Sequence, residues 1–268
     1  HFLVGAVEYV AKRLCEIEFG EIAEQAYIER KREVVRRCIY GVDLNPLAVD
    51  LASLSLWLET LSSDKPLSFL QSHLKTGNSL IGGKIQSVFG KVETTNAQQT
   101  TQSKLFQGEG EINDFKNDIQ TFLMFETMGD ESVSKVKVKI EEYNKIRSKG
   151  TIYSNLQFRL NCKTAEYFDS KIPVLFTEGS TTIEDVYSKA EIQQIDELFK
   201  KLTFFHWELE FPQVFFDEKA EEKIDGGFDI IIGNPPWERI KIQDKEFFAT
   251  KVPKIATASP ASLQKKMI

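Results

Sequence analysis

The residues with the most specific chemical capacity are Asn234-Pro235-Pro236-Trp237. A conjugated amine, such as the exocyclic amine of adenine, is a poor nucleophile because its lone pair is delocalised into the ring. A catalyst must hold that nitrogen and return electron density to it. The side-chain amide oxygen of Asn234 can accept one N–H and the carbonyl of Pro235 the other, which favours a tetrahedral nitrogen with an available lone pair. Pro235 and Pro236 fix the backbone and remove amide donors, so their carbonyls can face a ligand. Trp237 offers a flat face on which an extruded base can stack. Catalysis of this kind is positioning plus electrostatics. The plainer alternative is a proline-rich turn with a buried Trp, and the apolar Asp229-Ile230-Ile231-Ile232-Gly233 run just before it argues for the catalytic reading.

Two further positions could bind a nucleoside. Asp43 follows the apolar run Cys38-Ile39-Tyr40-Gly41-Val42, and a carboxylate at a strand end can accept both hydroxyls of a ribose. Leu44 could pack on an adenine. Asp43 could instead only help to cap the following helix. Asn78, in Gly77-Asn78-Ser79-Leu80, could reach an adenine edge or could simply be a turn residue.

The elements that must position these residues are legible from periodicity. Residues 2–15 and then a charged stretch to about residue 37 read as helices. Asn45-Pro46 is a strong helix start, Asn as N-cap and Pro at the first helical position. The helix it opens, residues 47–61, is nearly all apolar and is expected to be well buried. Short strands are predicted at residues 38–42 and 72–75, and a buried strand at 228–232. Residues 91–110, rich in Gln, Thr, Asn and Gly, read as a loop or linker. Helical patterns at 119–126, 133–146, 156–168 and 183–199 read as an insertion. Strands alternating with helices indicate a parallel sheet, with ligands beyond the carboxyl ends of its strands. Asp43, Asn78 and Asn234 all fall at such ends. The expected division is a cofactor part at 1–90, a loop and helical insertion at 91–202, and a catalytic part at 203–268.

Composition sets bounds. The net charge is −6, from 34 Lys and Arg against 40 Asp and Glu, which is unlike the basic footprint of most DNA-binding domains. Arg30, Lys31, Arg32, Arg36 and Arg37 form a basic cluster, and the segment after Trp237 is also basic; charge alone favours a solvated helix face for each, which puts most of any phosphate-binding surface elsewhere. No run approaches the roughly 18 apolar residues of a membrane span. Cys15, Cys38 and Cys162 follow no metal-ligand spacing, so no metal site is expected and the thiols suit a reducing cytoplasm. The chain begins at His1 within an apolar helical pattern and ends at Lys265-Lys266-Met267-Ile268, which reads as an internal piece of a longer polypeptide.

Gly41-Val42-Asp43-Leu44-Asn45-Pro46, Gly77-Asn78-Ser79-Leu80 and Asn234-Pro235-Pro236-Trp237 together resemble the adenine-N6 methylase domain of type IIG restriction-modification enzymes; phage-exclusion (BREX-type) methylases are similar. The segment Phe205-His206-Trp207-Glu208-Leu209-Glu210-Phe211-Pro212 resembles one that recurs there before the catalytic strand. The resemblance covers about 1–84 and 203–240, and the middle only loosely, at Thr164-Ala165-Glu166-Tyr167-Phe168. It implies an α/β, partial Rossmann-like methyltransferase fold with a mostly helical insertion, S-adenosyl-L-methionine as cofactor, and double-stranded DNA as partner with the target base flipped out. It implies catalytic roles for Asn234, Pro235, Pro236 and Trp237, and cofactor contacts from Asp43, Leu44, Asn78, Ser79 and Leu80. Family members carry a Gly-x-Gly loop before a His-Phe-Leu, so the resemblance places that loop ahead of His1, and a target-recognition domain and any nuclease beyond Ile268. On that comparison the piece alone should be inactive and bind the cofactor weakly or not at all. This chain has Asn78 where many amino-methyltransferases have Asp, and Trp237 where Tyr or Phe is commoner. Two rival readings are a protein glutamine-N5 methyltransferase, whose substrate amide needs the same acceptors, and a non-catalytic DNA- or partner-binding module of a defence assembly.

Overall fold

The computed structural model describes residues 2–61, 65–88, 109–169 and 187–234. The chain forms two compact units, His1–Asp229 and Ile230–Ile268. The first is α/β. Its helices are α1 (Phe2–Phe19), α2 (Glu24–Arg37), α3 (Pro46–Glu59), α4 (Glu109–Thr127), α5 (Val133–Ile146), α6 (Ile152–Ala165), α7 (Lys189–Leu202), and the one-turn α8 (Trp207–Glu210) and α9 (Pro212–Phe215). Strands β1 (Gly41–Asp43) and β2 (Leu74–Thr76) pair in parallel, with Gly41 opposite Leu74 and Asp43 opposite Thr76. With α3 as the crossover, β1-α3-β2 is one βαβ unit.

Local chemistry explains these boundaries. Asn45 caps α3 by accepting the Leu47 N–H at 3.0 Å, with Pro46 at the first helical position. A reciprocal Ser188–Glu191 capping box starts α7, and Thr203, at φ 52°, stops it and turns the chain back toward β2. Helices α4 to α7 overlap the helical patterns expected at 119–126, 133–146, 156–168 and 183–199; α5 coincides, while α4 and α6 begin earlier and α7 runs on to Leu202.

Three apolar clusters hold the first unit. Val7, Ala11, Val34, Val35, Leu56 and Leu74 join α1, α2 and α3 to the sheet. Phe115, Ile119, Phe122, Leu156 and Leu160 fill the insertion with Ile85 and Leu209. Cys162, Ile195 and Phe204 join α6 to α7. The basic cluster on α2 is largely spent on structure. Arg30 pairs with Glu18 and Glu33, Lys31 with Glu59 and Arg37 with Glu33. Arg32 donates to the carbonyls of Thr60 and Pro66, and Arg36 to that of Thr127.

Two expectations fail. Helix α3 is not well buried: Leu47, Leu51, Leu54 and Leu58 are exposed and Leu56 is its buried residue. A helix apolar all round gives no direction for burial, and packing uses the side with Val49, Ala52, Leu56 and Trp57. The buried strand expected at 228–232 is not formed. Those residues have no regular structure, and Ile230, Ile231 and Ile232 are exposed. An apolar β-branched run supplies side chains for a strand, but its ladder bonds must come from a neighbour, and among the described residues none pairs with it.

Candidate active site

Parallel pairing of β1 with β2 brings two of the predicted motifs to one end of the sheet. Asp43 lies opposite Thr76, and the Gly77 N–H donates to the Asp43 carbonyl at 2.9 Å. Asp43, Leu44, Asn78, Ser79 and Leu80 therefore gather where both strands end. Asp43 Oδ1 accepts the Asn45 N–H at 2.8 Å, so the carboxylate does steady the helix entry, while Asn45 itself is the cap. Its Oδ2 has no partner among the described residues, and the residue is exposed. Asn78 Oδ1 accepts the Leu80 N–H at 3.1 Å, the turn role weighed from sequence. That leaves the amide NH2 as the group with hydrogen-bonding capacity to spare. Leu44 and Leu80 are 57% and 91% exposed.

The loop at residues 77–85 is held by the segment from Thr203 to Glu210. The Asn78 N–H donates to the Thr203 carbonyl and the Phe205 N–H to the Ile81 carbonyl, each at 2.7 Å. The His206 Nδ1 accepts the Gly83 N–H at 3.0 Å, and its Nε2 lies 2.8 Å from Asn161 Oδ1 on α6. With Nδ1 accepting, Nε2 carries the proton and donates to Asn161. Burial lowers the His206 pKa to about 4, so this neutral form persists at pH 7. Trp207 Nε1 donates to the Ser79 carbonyl at 3.0 Å, and Glu208 accepts the Ile85 N–H at 2.6 Å. The approach is close enough to require glycine: a Cβ on Gly82 would lie 1.9 Å from the Phe205 carbonyl oxygen.

Glu210 completes this clamp from below. Its buried carboxylate accepts from Arg147 Nη1 at 2.7 Å and from the Tyr153 hydroxyl at 2.5 Å, and Lys75 Nζ of β2 lies 3.3 Å away. Burial alone would raise its pKa, but the charges of Lys75 and Arg147 with the Arg147 and Tyr153 hydrogen bonds lower it to about 2. The end of α5 and the start of α6 are thus tied to the strand that leads to Asn78. Sequence reasoning assigned no role to Trp207, Glu208 or Glu210. The available signal was an aromatic- and acid-rich segment too polar for the core it enters.

The segment that carries the expected catalytic residues divides. Phe228 belongs to the first unit and packs edge-on to Tyr40, Trp207 and Phe215, with centroids 5.4, 5.5 and 6.0 Å away. Asn234 is exposed in the second unit. Pro235, Pro236 and Trp237 lie outside the described residues, as do the basic residues that follow them. Among the described residues no group of three or more His, Cys, Asp or Glu could hold a metal, and no helix is long and apolar enough to cross a membrane.

The family model described as Eco57I restriction-modification methylase matches residues 37–262, more than four-fifths of the chain. A protein of Methanocaldococcus jannaschii, named as a type II restriction enzyme and methyltransferase, is 23% identical over 269 residues. That match covers 88% of this chain and 21% of the relative, so the chain spans about a fifth of its relative's length. No solved structure matches.

Proposed function

The chain belongs to the Eco57I restriction-modification methylase family, and from that premise we propose that it is part of an enzyme transferring a methyl group from S-adenosyl-L-methionine to the N6 amine of adenine in a specific DNA sequence. The observation that carries the reading is the meeting of Asp43 and Asn78 at one sheet end, with the Gly77 N–H on the Asp43 carbonyl.

The residues there fit the adenosine half of the cofactor. Asp43 has an unengaged carboxylate oxygen for a ribose hydroxyl, Asn78 has an amide NH2 for a ring nitrogen, and Leu44 and Leu80 offer apolar surface for a base. Ser79 contributes backbone to the same turn. The cofactor, when bound, supplies an electrophilic methyl on a sulfonium. The chain's own contribution is to orient: Asp43 and Asn78 hold the nucleoside, and Asn234 with the Pro235 carbonyl accepts the two N–H groups of the target amine. Pro236 stiffens that loop and Trp237 stacks on the flipped base.

The partial Rossmann-like arrangement, the base flipping and the contacts to the rest of the polypeptide belong to the same proposal. Because α2 spends its basic residues internally, DNA phosphates are bound by other parts of the enzyme.

The test is transfer of labelled methyl by the full-length polypeptide to duplex DNA and, separately, to a glutamine-bearing release factor. Label in DNA alone is expected. Label in the protein substrate would favour the glutamine reading, and label in neither would leave a non-catalytic module.

A further inference from the structure

Trp207 engages two segments of the first unit by two different properties of one side chain. Its indole N–H donates to the Ser79 carbonyl at 3.0 Å, in the turn that carries Asn78 and Leu80. Its ring meets Phe228 at 5.5 Å between centroids and 73° between planes, six residues before Asn234. It is steadied by Phe205 at 5.0 Å and Phe211 at 5.9 Å. Its neighbours His206 and Glu208 are buried and fix the same loop at Gly83 and Ile85, whereas Trp207 itself is half-buried. A Phe here could pack on Phe228 but could not donate, and a Gln could donate but could not pack. An indole does both.

We propose that Trp207 is a positioning residue that sets the cofactor turn at Ser79 through its N–H and the root of the catalytic segment at Phe228 through its ring. The inference rests on the methyltransferase reading and deepens it. Because the two contacts use separable parts of the side chain, their kinetic consequences separate too. The Ser79 contact holds the groups offered to the nucleoside, so its loss weakens cofactor binding. The Phe228 contact anchors the residue from which the chain continues to Asn234, so its loss loosens the lead into the proposed catalytic loop and slows the transfer step.

The experiment compares Trp207→Phe and Trp207→Leu with wild type in the full-length polypeptide, measuring KM for S-adenosylmethionine, kcat on saturating duplex DNA, and the melting temperature. For Trp207→Phe, KM should rise roughly five-fold, the worth of one neutral hydrogen bond, with kcat within about two-fold. For Trp207→Leu, KM should rise similarly and kcat should fall at least about ten-fold. A merely structural role would lower the melting temperature and move both constants together in both variants, and that result would overturn the inference. Unchanged kinetics in Trp207→Phe would overturn it also, even if Trp207→Leu fails to fold. A wild-type protein that transfers no methyl group would instead overturn the underlying reading, and this inference with it.

Discussion

Replacing Glu210 by Gln would keep the shape of the side chain and remove the one negative charge shared by Lys75 and Arg147. The carboxylate is almost wholly buried and takes hydrogen bonds from Arg147 and Tyr153, with Lys75 at 3.3 Å. A Gln has one accepting oxygen: turned toward Lys75 and Arg147 Nη1, it sets its NH2 against Tyr153 and Arg147 Nη2, and turned the other way it sets its NH2 against Lys75 and Arg147 Nη1. The surroundings move the Glu210 pKa from 4.5 to about 2. At about 1.4 kcal/mol per unit, that is a preference of about 3 kcal/mol for the charged form. The usual cost of removing one partner from a buried ion pair, about 3–5 kcal/mol, agrees. Urea unfolding at pH 7 should therefore show Glu210→Gln less stable by about 3 kcal/mol. Adding Lys75→Met should cost less than the sum of the single changes, because it removes one of the stranded cations. Since the folded pKa lies below the unfolded one, the contribution of Glu210 is complete above about pH 4.5 and is lost as pH falls toward 2. A loss under about 1 kcal/mol, or strict additivity with Lys75→Met, would refute the view that this carboxylate ties α5 and α6 to β2.

Burial lowers the pKa of both His73 and His206 to about 4. Each therefore leaves stability intact above about pH 6.5 and withdraws up to about 3 kcal/mol as pH falls toward 4. His73→Gln and His206→Gln should each flatten the pH dependence of the urea midpoint in that window. Asp118, raised to about 7 by burial and by Asp114, works in the opposite sense across that whole window, adding stability as pH falls. Gly82→Ala would set a Cβ 1.9 Å from the Phe205 carbonyl oxygen; it should cost at least about 2 kcal/mol in urea and weaken cofactor binding measured by calorimetry. The paired change Leu51→Lys and Leu58→Lys, on the exposed face of α3, should alter stability by no more than about 0.5 kcal/mol per site; a large loss would show that this face is covered in the intact protein.

Local signals were legible and distant ones were not. The Asn45-Pro46 start of α3, the strand-to-turn pattern at Gly41-Val42-Asp43 and the helices of the insertion all follow from short-range periodicity and capping. The meeting of Asp43 with the Asn78 turn was also legible, because alternating strands and helices imply a parallel pair. What failed was the direction of burial. The apolar run of α3 covers its whole circumference, so its pattern names no inner face. The run at 228–232 has strand composition, but ladder bonds depend on a neighbour that its own residues do not specify. The clamp was hidden for a related reason. His206, Trp207 and Glu208 find their partners at Gly83, Ser79 and Ile85, some 120 residues earlier in the chain. Their mixture of acids and aromatics becomes intelligible once those partners are known. The basic cluster on α2 read from charge alone as a solvated helix face, and its pairing with Glu18, Glu33 and Glu59 lay beyond what local sequence could show.

The central claim concerns Asn234 and the amine it would hold. The direct measurement incubates duplex DNA with labelled S-adenosylmethionine and the full-length polypeptide, wild type or Asn234→Ala, and separates the digested nucleosides. Wild type should place the label in N6-methyladenine, and Asn234→Ala should lower it by about a hundred- to a thousand-fold, the scale of a lost electrostatic contact to a reacting group. Label in a cytosine derivative, or undiminished N6-methyladenine from Asn234→Ala, would contradict the account.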